Sequence, residues 1–252
     1  NIMGWITDHD GKLRVATASD GVNSVLMYRA TEEEPFKEVL VTNFRDEVNP
    51  LFFTFDNKFM YASSNLGRDK NAIVKFDIAN GKEIEMMYEN PDVDVSGLSY
   101  SRKRKVLTTI SYVREKRELK FLDPETEKRY NRLKKELGDY EVVVTGLNKN
   151  EDKFLVRTYS DRSLGSYYFY DASTDKLSKI VEVSPWLNEK ELAVQKPVTY
   201  TSRDGLTIHG YLTLPVGVEP KNLPVVMNIH GGPWARDNWG FNPEVQFLAN
   251  RG

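Results

Sequence analysis

Cysteine is absent from the 252 residues. Disulfides, thiolate metal ligands and a cysteine nucleophile are therefore excluded within this stretch, while the compartment stays open between cytoplasm and periplasm. No apolar run approaches the roughly 18 residues that a membrane span needs. The opening residues, NIMGWITDHDG, have neither the basic nor the apolar region of a secretory leader. Position 1 is not methionine, so an N-terminal targeting region is expected to lie outside these residues. An excess of one charge is also lacking: 35 Lys and Arg face 37 Asp and Glu, a net charge of −2. Bulk electrostatics thus point to neither a nucleic acid nor a membrane as partner. Only three histidines occur, and no His, Asp and Glu group has metal-ligand spacing, so neither a metal nor a cofactor is expected.

The 40% of hydrophobic residues suffices for a packed core, and the length suits one or two domains. A repeat organises the first three quarters. GKLRVATASD, NKFMYASSN, RKVLTTISY and DKFLVRTYSD share one plan, and their lysines, Lys12, Lys58, Lys105 and Lys153, recur about every 47 residues. Each segment is followed by a second apolar run, three of which pass through Asp77, Asp123 or Asp171 into a polar turn. Flanking runs bring each unit to four short strands, the pattern of a β-propeller blade. A sandwich or meander with regular spacing is the plainer alternative.

The third unit departs from this plan. Its last strand is replaced by ETEKRYNRLKKELGDY, in which Tyr130, Leu133 and Leu137 fall at i, i+3 and i+7. This spacing suits a short helix with a solvated basic face, read as a surface excursion from the blade.

The pattern changes after Val183. SPWLNEKELAVQKP, residues 184–197, reads as a connecting helix and linker, with Ser184 as N-cap and Pro185 in the first turn. Residues 198–215 form a hairpin around Asp204-Gly205. VVMNIH has the continuous apolar character of a buried strand in an α/β sheet. PEVQFLANRG then suits a helix that starts at Pro243, presents Val245, Phe247 and Leu248, and is capped by Gly252. The expected organisation is a mainly β chain: four propeller blades over residues 1–183, a linker over 184–197, and the first part of an α/β-hydrolase domain over 198–252.

Between that strand and helix lies NIHGGPWARDNWG. Consecutive glycines let the backbone approach a ligand and aim N–H groups at it. Pointed at a developing negative oxygen, such donors form an oxyanion hole for acyl transfer. A nucleophile is missing, because no G-x-S-x-G occurs. His9 lies in a blade turn and is expected to face solvent. His209, in the hairpin, is assigned a structural role, and His230 is assigned to positioning the loop rather than to general-base work.

The order of propeller, linker, TSRDGLTIHGYLTLP and LPVVMNIHGGPWARDNWGF resembles the prolyl oligopeptidase family of serine peptidases, in particular its acylaminoacyl-peptidase and dipeptidyl-peptidase-like members. The similarity runs the length of the chain, and its most specific part is the RDG hairpin followed about 25 residues later by HGGP. It implies a hydrolase that acts on oligopeptides behind a gating propeller, with the oxyanion-hole N–H at Gly232 and Gly231 shaping the loop. Trp234, Arg236, Asp237 and Trp239 would border the substrate cleft, with packing against the propeller as the alternative for all four. The family's serine, aspartate and histidine lie downstream of HGGP, so no residue here inherits those roles, and the chain alone is expected to be inactive. Seven or eight blades are usual in the family, so four suggest part of a ring whose open edges self-association or another segment would cover.

Two other functions compete. One is a non-enzymatic TolB-like propeller scaffold for protein binding, which would have no need of HGGP. The other is a lipase or esterase, against which Pro233 and the propeller both weigh. Dipeptidyl peptidases hold the substrate amine with paired glutamates, but Glu32, Glu33 and Glu34 sit in a polar turn before Pro35 and read as a solvated loop.

Overall fold

The computed structural model describes residues 1–232 and 235–252. The chain divides into two compact units, Asn1–Pro124 and Glu125–Gly252.

The first unit contains three antiparallel sheets, each built from consecutive strands. The first comprises β1 (Ile2–Thr7), β2 (Leu13–Ser19), β3 (Ser24–Tyr28) and β4 (Lys37–Thr42). The second comprises β5 (Val48–Phe53), β6 (Met60–Ser64), β7 (Ala72–Asp77) and β8 (Lys82–Tyr88). The third has only β9 (Val95–Ser101), β10 (Val106–Val113) and β11 (Arg117–Phe121).

Strand alternation explains how these sheets stack. On β7, Val74 and Phe76 join Val15, Leu26, Phe53 and Met60 in one apolar cluster, which lies between the first and second sheets. Ile73 points the other way and packs with Val95 and Ile110 of the third sheet. Successive side chains of a strand face opposite sides, so β7 serves two cores, and Lys75 is the one polar residue among its interior positions.

The turns that begin the repeated segments are joined to one another. Asn57 Nδ2 donates to Asp10 Oδ2 at 2.9 Å, and the His9 backbone N–H donates to Asn57 Oδ1 at 3.0 Å. His9 Nε2 lies 2.8 Å from the Phe53 carbonyl, an acceptor only, which places the ring proton on Nε2. The same ring stacks on Phe55 and meets Tyr100 edge-on. His9 is therefore half-buried and bonded, not solvent-facing as expected, because the repeat brings turns about 47 residues apart into contact.

In the second unit, α1 (Pro124–Leu137) precedes a four-stranded sheet of β12 (Glu141–Leu147), β13 (Lys153–Tyr159), β14 (Ser166–Asp171) and β15 (Lys176–Glu182). The expected helix is present, but it is no surface excursion. Leu133 and Leu137 are buried against Val142, Phe154, Val156 and Tyr170, with Tyr130 beside them. Its polar side is tied down as well: Arg132 bonds Glu136 and Asp175 at 2.6 and 3.0 Å, and Arg129 lies 4.4 Å over the Phe154 ring. The Arg132 guanidinium, followed by the Tyr170 hydroxyl, holds the Asp175 carboxyl below the usual range.

The expected connecting helix at residues 184–197 shrinks to one 3-10 turn, Glu189–Glu191, capped by Asn188 rather than Ser184. The strand β16 (Gln195–Thr201) begins inside that segment and pairs with β17 (Thr207–Thr213). The turn forms at Asp204-Gly205 as expected. Gly205 N–H donates to Ser202 O and Ser202 N–H to Leu206 O, with Gly205 at φ +87°.

The chain ends in α2 (Pro243–Arg251) with Gly252 as C-cap, again as expected. Asn242 supplies the N-cap by accepting from the N–H groups of Glu244 and Val245. The buried side differs from expectation, since Gln246 is the buried residue and Phe247 is exposed.

Candidate active-site loop

Residues 224–230 do not form the expected buried strand. Val225, Val226, Met227 and Ile229 are all more than 60% exposed, and no strand pairs with them among the described residues. An extended segment becomes a sheet strand only when a neighbour takes its N–H and C=O groups, and no described strand does so here.

The His230-Gly231-Gly232 backbone is exposed. His230 Nδ1 lies 2.9 Å from the carbonyl of Gly231, so its proton bond orients the loop locally. A Cβ built on Gly231 would meet nothing within 4 Å. Gly232 has φ +151°, a region of backbone space open essentially to glycine alone. The expected substrate-contacting residue Trp234, together with Pro233, lies outside the described residues. Arg236 is exposed, and its Nε donates to the Asp237 carbonyl at 3.2 Å.

The loop that follows is anchored at its far end. Trp239 Nε1 donates to the carbonyl of Gln195 at 3.0 Å, and the Gly240 N–H donates to Gln195 Oε1 at 3.0 Å. Gln195 N–H in turn donates to Asp161 Oδ2 at 2.8 Å, across to the loop between β13 and β14. From α2, the Gln246 amide donates to the carbonyls of Asp161 and Ala193, and its oxygen accepts from the Ala193 N–H at 2.9 Å. Asp161, Ala193, Gln195 and Gln246 are all buried. Sheet, hairpin and helix thus hold the loop after the glycines through a bonded polar network, which low dielectric strengthens.

Between that loop and the sheet lies an open cleft of about 530 Å³. Arg157 and Tyr159 of β13 form one wall with Ser163, and residues 236–243 form the other. Trp239 borders this cleft and also bonds the first strand of the hairpin. Among the described residues, no three His, Cys, Asp or Glu side chains lie close enough to hold a metal ion.

No protein-family model matches the chain. Individual relatives do. Dipeptidyl aminopeptidase BIII of Pseudoxanthomonas mexicana is 33% identical over 268 residues, spanning all of this chain and 37% of its own length. The chain belongs to the prolyl oligopeptidase family. Among solved structures of this family's fold, a puromycin hydrolase superposes with a TM-score of 0.67 at 17% identity, over all of this chain and 40% of that one. Prolyl oligopeptidase B of Galerina marginata superposes with a TM-score of 0.57 at 15% identity, over 84% of this chain and 31% of that one. The repeated sheets match the propeller portion of such structures. This prolyl oligopeptidase family chain therefore spans less than half the length of the relatives it matches.

The glycine pair was visible in the sequence, but the residues that hold the loop were not. Asp161, Gln195 and Gln246 stand up to 85 residues apart. The one local signal is Gln246, a polar residue on the inward side of a short helix.

Proposed function

We propose that this chain is the access and oxyanion portion of a serine peptidase that hydrolyses oligopeptides of the acylaminoacyl or dipeptidyl type. Its nucleophile and triad would be supplied by residues beyond these 252. The observation that carries this reading is the exposed Gly231-Gly232 backbone, set in a chain 33% identical throughout to a dipeptidyl aminopeptidase. In this role, the Gly232 N–H donates to the oxyanion of the tetrahedral intermediate, where a fixed donor in a water-poor site lowers the barrier. Gly231 gives the close approach, and Arg236 and Trp234 border the bound peptide.

The repeated sheets gate entry as blades of a larger propeller. The exposed Met3 and Trp5 of β1 are then faces awaiting a neighbour, either another blade or a second copy. The similarity continues through residues 198–252, which weighs against a propeller scaffold without chemistry.

The product of the whole gene is expected to react with a fluorophosphonate probe, and the 252-residue chain alone to hydrolyse no peptide or ester. A folded whole-gene product that fails to label, or turnover by the pure chain, would overturn the assignment.

A further inference from the structure

Arg157 stands out among the arginines of the second unit. It sits on β13 between Val143 and Tyr167 and lines the cleft. Its Nε is shielded from solvent yet has no hydrogen-bond partner, and no carboxylate of a described residue lies within 4.0 Å of its guanidinium. Its guanidinium carbon lies 5.8 Å from the centre of the Tyr167 ring.

Two half-buried arginines of the first unit show the usual arrangement. Arg104 is held by both oxygens of Asp123 at 2.8 and 2.6 Å, and Arg14 bonds Asp8 at 3.1 Å. The other charges on the cleft are Arg236 and Asp237, which offset one another, so the cleft keeps one positive charge from Arg157. A guanidinium in that state has unused, forked donors that match a carboxylate, and shielding from water makes the missing partner costly. Tyr159 and Trp239 flank the space with aromatic surface suited to a peptide chain.

We propose that Arg157 anchors a carboxylate of the peptide substrate in this cleft, making it a specificity-determining residue on the propeller side. The proposal rests on the peptidase reading for the word substrate; the binding itself does not. Two sources share this chemistry, a peptide's C-terminal carboxylate and an Asp or Glu side chain.

The test is isothermal titration calorimetry of the 252-residue chain with three acetylated alanine pentapeptides. One has a free C-terminus, one is amidated, and one is amidated with a central Asp. The free acid, the Asp peptide or both are expected to bind roughly tenfold or more tightly than the neutral amide, since hydrogen bonds to charged groups carry that discrimination. Which of the two binds identifies the source of the carboxylate.

Arg157→Met should erase the preference and Arg157→Lys should keep part of it, each checked by its thermal melt. If Arg157→Met does not fold, Arg157→Gln replaces it. Equal binding of acid and amide, absence of binding, or a preference that survives in the neutral variants would overturn the inference. Fluorophosphonate labelling of the whole-gene product is read separately. Its failure would sink the peptidase assignment and leave the carboxylate site standing, and the converse also holds.

Discussion

The side-chain amide of Gln246 donates at 3.0 Å to the backbone carbonyl of Asp161, 85 residues earlier in the chain. With its two bonds to Ala193, this one side chain joins the terminal helix, the segment before β16 and the loop after β13. The carboxylate of Asp161 extends the connection to Gln195, and Gln195 holds Trp239 and Gly240. The loop that follows the glycine pair is therefore positioned by residues that themselves have no part in the proposed chemistry.

Replacing Gln246 by Leu should test this coupling. One buried N–H and two carbonyls would lose their partners, and each such loss costs about 1–3 kcal/mol. A total loss of about 3 kcal/mol or more is expected in urea unfolding of the chain. Trp239 fluorescence should also shift as the loop loosens, and an unchanged midpoint would show that the network is dispensable.

Gly165 makes a second, steric prediction. It has φ +84°, and a Cβ placed there would lie 1.6 Å from the Thr158 carbonyl oxygen. Neither a left-handed backbone nor that contact accommodates alanine without moving β13 against β14. Gly165→Ala should cost about 3 kcal/mol or more, beyond the usual cost of a single substitution, and should lower the melting temperature of the second unit.

Tyr140 predicts how stability depends on alkaline pH. Burial first, then its hydrogen bond to Glu189, pushes the phenol up to about 12 from its ordinary 10.0. Both Glu189 oxygens lie 2.8 Å from the hydroxyl, and ionising the phenol would set two negative groups together. A folded value above the unfolded one means the contribution is complete below pH 10 and is lost as pH rises through 12. Melts between these limits should fall more steeply for the native chain than for Tyr140→Phe.

On the catalytic side, Gly232→Val in the whole-gene product should depress kcat on the order of 100-fold with little change in KM. Such a split marks a donor used in the transition state rather than in substrate binding. A change in KM alone, with kcat preserved, would remove Gly232 from the oxyanion role.

Several elements could be read from local chemistry. The lysine spacing gave the repeating sheets, Asp204-Gly205 the hairpin, Pro243 and Gly252 the limits of α2, and the Tyr130, Leu133 and Leu137 spacing the helix that replaces a strand. Apart from the repeat, whose period is about 47 residues, each rests on backbone preference or periodicity within about a dozen residues, the range over which a sequence acts directly on its own conformation. The residues 224–230 misled for the same reason. Their apolar run states that they could be a buried strand, but a strand needs a paired neighbour, and no described strand pairs with them.

The chain by itself therefore determined the repeat, the hairpin, the terminal helix and the glycine pair with its bare backbone. Tertiary structure alone decided that His9 bonds across a turn, that α1 packs its apolar side into a core, and that Arg157 lines a cleft unpaired. It also decided that Asp161, Gln195 and Gln246 meet behind the loop. These are contacts between residues far apart in sequence, and no local propensity encodes which distant partner a polar group will find when burial forces it to find one.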